Sequence, residues 1–127
     1  MSDFTESGGH AAVTALLDAA LDAGLPDALV CANDEIALGA RRAARHARID
    51  LPNRMAITGW DDIPAAALVT PALTTVRQPM RELGATAAAL LTERISAGRR
   101  TPRHVLLPTM PVYRASCGCE PSGGEIS

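Results

Sequence analysis

The chain has 127 residues, 47% hydrophobic, 20% charged and 2% aromatic, with a formal net charge of -2. That length fits one domain with its own core rather than two. The composition excludes a disordered acidic tail, a collagen-like or low-complexity chain, and the clearly basic balance of a nucleic-acid-binding module.

Ser7 to Ala23 reads as a helix, because Val13, Leu16, Leu17, Ala20 and Leu21 recur at helical spacing while Asp18 and Asp22 fall on another face. Ser7 is placed to cap it, and Gly24 with Pro26 supplies a stop. Ala28 to Ala32 is a short, wholly apolar run, the pattern of a strand covered on both faces. Asn33 breaks the run and is placed to cap a second helix from Asp34 to about Ala47, packed through Ile36, Ala37, Ala40, Ala43, Ala44 and Ala47. Arg41, Arg42, Arg45 and Arg48 fall toward water and toward the negative end of the helix dipole.

After the turn Leu51-Pro52-Asn53, Met55 to Gly59 reads as a second buried strand ending at Trp60-Asp61-Asp62. A short helical or irregular piece, Ile63 to Val69, follows, and then the extended Leu73 to Val76. Pro79 to about Ala97 is a third long helix, with Leu83, Ala87, Leu90, Leu91 and Ile95 on its apolar side. Val105 to Val112 is extended but interrupted by Pro108 and Pro111, which suits an edge or crossing strand. Beyond Arg114 the composition turns to Gly, Ser, Cys and Pro, and the chain is expected to fray.

Helices alternating with short apolar strands predict an α/β fold, an open parallel sheet with right-handed crossovers. Ligands in such sheets sit beyond the carboxyl ends of the strands. Asn33 and Asp61 occupy that place after two separate strands. Two readings stand side by side: a rim that binds hydroxyl- or amino-bearing small molecules, and a plain helix cap with turn-forming aspartates.

Other chemistry finds little footing. Asp61 and Asp62 are neighbours at a strand end, so their side chains point apart and do not share a proton or flank one bond. Neither a GxGxxG nor a Walker loop is present. His10, His46 and His104 are scattered, and Cys117-Gly118-Cys119 has no second ligand pair, so neither a metal nor another cofactor is expected. Ser7, Ser96 and Ser116 lack a nucleophile-elbow context, so no enzyme is expected. The arginine stripe from Arg41 to Arg48 carries no interleaved aromatic and reads as a solvated helix face. All 12 basic residues are arginine, a bias that reads as GC-rich codon usage. The three cysteines form no even framework, which points to a reducing compartment. No run approaches about 18 apolar residues, and the first residues lack a signal-peptide pattern. A soluble cytoplasmic chain with no membrane partner is expected.

The string from Ala28 through Leu91 resembles the LacI/GalR family of bacterial transcriptional repressors, in their effector-binding core. The resemblance rests on Ala32-Asn33-Asp34-Glu35-Ile36-Ala37-Leu38-Gly39-Ala40, on Ile57-Thr58-Gly59-Trp60-Asp61-Asp62-Ile63-Pro64, and on Pro71-Ala72-Leu73-Thr74-Thr75-Val76-Arg77-Gln78-Pro79. Leu106-Leu107-Pro108 and Val112 to Cys117 close the match. The resemblance implies a periplasmic-binding-protein-like fold of two lobes closing on a small effector, often a sugar or nucleobase. Residues 1–116 would be a core fragment resembling the second lobe, and 117–127 a flexible tail. Residues 74–108 would hold the crossings and a helix of the other lobe.

The same resemblance assigns effector contacts to Asn33 and Asp61, with Phe4, Trp60 and Gln78 beside them, and a homodimer interface to Leu38, Leu68 and Val69. It places operator DNA on a helix-turn-helix headpiece absent from this chain. The alternative of another class is a solute-binding protein of a sugar transport system.

Overall fold

The computed structural model describes residues 3–98 and 101–119. Its elements are α1 (Glu6–Ala23), β1 (Ala28–Val30), α2 (Asp34–His46), β2 (Ala56–Thr58), α3 (Pro64–Leu68), β3 (Thr75–Arg77), α4 (Met80–Ser96) and β4 (Met110–Val112), followed by a 3-10 turn at Ala115–Cys117. The described chain divides into two compact units, residues 3–77 with 111–119, and residues 78–110.

In the first unit β1 and β2 pair in parallel, Ala28 against Ala56, Leu29 against Ile57 and Val30 against Thr58. Beyond β2, Thr58 bridges Thr74 and Asp61 bridges Arg77, again in parallel. β3 therefore continues the sheet on the other side of β2, and β4 lies beside β3. Parallel neighbours require crossovers, which α2 and α3 supply. The core gathers Val13, Ala37, Ala40, Ala43 and Ala44 from α1 and α2 and Ala66 from α3, with Cys31, Met55, Ile57 and Leu73 in or next to the strands.

α1 and α2 cross backbone to backbone. A Cβ added at Gly39 would stand 2.0 Å from the Glu6 carbonyl oxygen, and one at Gly9 would stand 2.3 Å from that of Ile36. Glycine inside a helix costs about 1 kcal/mol against alanine, and the close crossing is what this pair of glycines permits. The α1 cap is Thr5, not Ser7: the Thr5 hydroxyl accepts the Gly8 amide at 3.1 Å. α1 presents Val13 to the core, while Leu16 stays exposed; the Leu21 side chain lies outside the described residues.

Two further expectations are corrected. β1 is not covered on both faces. Leu29 and Cys31 turn toward the core, but Val30 is 87% exposed. The chain beyond Arg114 does not fray at once: Ser116 is buried, its amide donating to the Ala72 carbonyl at 2.9 Å. Of the expected tail 117–127, residues 120–127 lie outside the described residues.

The second unit is α4 with the extended segment that follows it. No described α4 side chain is buried, and Leu83, Leu91 and Ile95 are exposed. Of the stretch Val105 to Val112, only Met110–Val112 is strand, and Pro108 removes one ladder donor from the part before it.

Candidate functional site

The candidate site lies where β1 and β2 end. Asn33 leaves β1 in an extended conformation and caps α2, its Oδ1 accepting the Ile36 amide at 2.8 Å. Its Nδ2 donates to the Phe4 carbonyl at 3.2 Å. The cap reading is therefore right as far as it goes. It occupies one lone pair and one N–H of an amide that has two of each, so capping and ligand contact are compatible.

Asp34, directly after Asn33 at the end of β1, is not among the predicted contacts. Its side chain is fully buried, Oδ1 accepting the Thr75 hydroxyl at 2.6 Å and Oδ2 the Ile63 amide at 2.9 Å. Its own amide donates to the Trp60 carbonyl at 2.8 Å. A buried charge is tolerated only when hydrogen-bonded, and these bonds fix the end of β2 against the start of α2. Gly59 makes room for this, since a Cβ there would lie 2.1 Å from Asp34 Oδ1. The readable signal was Asp directly after the capping Asn, with the hydroxyl pair Thr74-Thr75 downstream.

Asp61 and Asp62 carry positive φ angles of 116° and 57°, a strained conformation for residues other than glycine. The Asp61 amide donates to the Val76 carbonyl at 2.9 Å, which sets the residue at the edge of β3. Asp62 has a different task. Its Oδ2 accepts Arg77 Nε and its Oδ1 accepts Arg114 Nη2, both at 2.6 Å. Burial acts to raise the Asp62 pKa, but the hydrogen bonds and charges of Arg114 and Arg77 outweigh it and hold the carboxyl below its ordinary value. Asp61 and Asp62 are thus not an acid–base couple.

Arg114 also donates from Nη1 to the Leu73 carbonyl at 2.8 Å. Two residues on, the Ser116 hydroxyl donates to the Ile57 carbonyl at 2.6 Å and accepts the Thr74 amide at 2.8 Å. The last described segment therefore clamps β2 to β3 beneath the rim. Cys31, directly before the rim, has its thiol pushed up to about 11 by burial and by the charge of Asp34, so it stays protonated and unreactive at neutral pH.

Of the predicted contacts, the structure joins Phe4 to Asn33, and Trp60 and Asp61 follow β2 on the same strand-end rim. The Phe4 and Trp60 rings are both exposed. Gln78 belongs to the second unit, where its carbonyl accepts the Met80 amide. Leu38 is half-buried on α2, Leu68 is 83% exposed, and Val69 packs in part against the core. Among the described residues no group of three or more His, Cys, Asp or Glu could hold a metal, and no helix is long and apolar enough to cross a membrane.

Residues 1–117 match the family model of the periplasmic binding protein-like domain. The lactose operon repressor of Rhizobium radiobacter is 44% identical over 91 residues, which cover 72% of this chain and 80% of that protein. Among solved structures, the transcriptional regulator CelR–cellobiose complex is similar with a TM-score of 0.82 and 36% identity over 91% of this chain. The lac repressor dimer bound to operator and the anti-inducer ONPF is similar with a TM-score of 0.81 and 29% identity over 91% of this chain. The chain spans 34% of each of those two solved chains.

Proposed function

Because this chain belongs to the LacI/GalR family of transcriptional regulators, in its periplasmic binding protein-like domain, we propose that it senses a small hydroxyl-rich effector, a sugar, at the strand-end rim. The observation that carries the reading is the tie between Asn33 and Phe4 at the end of β1, beside Asp61 and Trp60 at the end of β2. An amide with donors and acceptors and an ionised carboxylate suit paired hydroxyls. The exposed Phe4 and Trp60 rings suit the apolar faces of a sugar ring. The cellobiose complex of the similar regulator supports a sugar over other effectors.

In the intact regulator, effector binding shifts the balance between arrangements of two lobes and so biases operator binding by a separate headpiece. Residues 1–116 form part of the effector core, resembling the second lobe, and 74–108 carry the crossings and a helix of the other lobe. The exposed apolar side of α4 supports that division. The relatives' names are those of regulators rather than of enzymes or transport proteins, which supports a cytoplasmic, non-catalytic role. The dimeric lac repressor structure supports a homodimer, formed here through Leu38, Leu68 and Val69.

The test uses Trp60, the single tryptophan of the chain, as the reporter in titrations with a panel of mono- and disaccharides. One sugar should change its fluorescence saturably. Asp61→Ala should weaken that sugar about tenfold or more, the worth of one charge-assisted hydrogen bond, with a cooperative unfolding transition retained. Unchanged affinity in that variant removes Asp61 from the site. For the interface, the natural chain should sediment as a dimer and Leu68→Asp as a monomer; equal sedimentation discards the patch.

A further inference from the structure

Three non-glycine residues carry positive φ among the described residues, and two of them, Asp61 and Asp62, belong to the rim above. The third is Arg48, φ 58°, immediately after the C-cap of α2. This is the position where glycine is the usual occupant because a Cβ is disfavoured there. A strained residue held in place is a pointer to function. Arg48 lines a cavity of about 330 Å³ together with Arg41 and Arg45, and Ile49, Leu51 and Pro71 form its apolar wall.

The three guanidiniums are not there to neutralise local carboxylates. Among the described residues neither Arg45 nor Arg48 has an ion-pair partner. Arg41 donates from both Nε and Nη2 to the single carbonyl oxygen of Thr70, which orients its guanidinium without neutralising it. Burial and the neighbouring charge of Arg45 lower the Arg41 pKa, as crowded like charges do. Asp50 is the one acid on the wall, and its side chain already accepts Asn53 Nδ2 at 2.9 Å.

We infer that this cavity binds a small phosphomonoester. Three positive charges against one carboxylate suit a dianion, and forked guanidinium donors match phosphate oxygens. The volume exceeds that of a phosphate alone, and the wall of Ile49, Leu51 and Pro71 would receive an apolar carrier. The cavity lies at the opposite end of α2 from Asn33, about 20 Å away along a 13-residue helix. It is therefore separate from the sugar rim and does not rest on that reading.

The test is an amide chemical-shift titration of the isotope-labelled natural chain with phenyl phosphate and, separately, inorganic phosphate, at constant ionic strength in chloride. Phenyl phosphate should shift Arg48, Ile49 and Leu51 saturably, and inorganic phosphate should bind more weakly. Arg45→Gln and Arg48→Gly should each weaken phenyl phosphate about tenfold. Arg48→Gly should keep or raise the unfolding midpoint, because glycine accepts the positive φ, which separates lost binding from lost fold. Shifts that do not saturate in the natural chain, or saturation unchanged by both substitutions, overturn the inference. Equal affinity for the two phosphates overturns the phosphomonoester.

Discussion

The Asp34 carboxylate and the Thr75 hydroxyl, 41 positions apart in the chain, meet at 2.6 Å with both residues buried. This bond joins the first turn of α2 to β3 across the end of β2. It explains how short strands of three residues hold a rim of defined shape: the sheet ends are locked by side chains as well as by the ladder.

Removing the hydroxyl tests that lock. Thr75→Val keeps the shape but leaves one oxygen of a buried carboxylate without its partner, and it should cost about 2 kcal/mol in urea unfolding. Thr75→Ser keeps the donor and should lose less than half as much. Equal losses would assign the effect to packing of the methyl group instead.

Asp62 makes the fold sensitive to acid. Its pKa is held below the ordinary value in the folded chain, so its contribution is fully present above the unfolded value of about 3.9 and is lost as pH falls through the folded value. The stability gap between the natural chain and Asp62→Asn should therefore be constant above about pH 5 and close progressively below about pH 4. At neutral pH, Arg114→Ala should cost about 3 kcal/mol, because it leaves the largely buried Asp62 short of one partner. A gap that does not change with pH would remove Asp62 as the titrating group.

Ser116 tests the clamp. Ser116→Ala strips partners from the Ile57 carbonyl and the Thr74 amide together, and should cost about 2 kcal/mol or more by chemical denaturation. Amide hydrogen exchange at Thr74 should rise in the same variant. Exchange left at its natural rate would mean that another group had taken over the bond.

Much of this arrangement was legible in the sequence. Helical spacing fixed α1, α2 and α4 to within a residue or two. The alternation of helix and apolar run announced a parallel sheet, and the polar residues after each run marked the rim. These features follow from local rules, the 3.6-residue period, the capping geometry of Asn33, and the tendency of parallel strands to end at ligand sites.

Residue pairs distant in sequence were decided by the tertiary structure alone. An apolar run such as Ala28 to Ala32 states that its side chains tolerate burial, but not how many faces are covered, so the exposure of Val30 was not readable. Spacing cannot say that Asp34 is a buried hub while Asp61 stands at the rim, since each simply follows a strand. Ser116 reads as the start of a frayed end because the composition around it is that of a loop, and only two backbone groups, one in β2 and one directly before β3, make it part of the core. A polar side chain takes its role from the partner that reaches it, and that partner is set by the fold rather than by its neighbours in the chain.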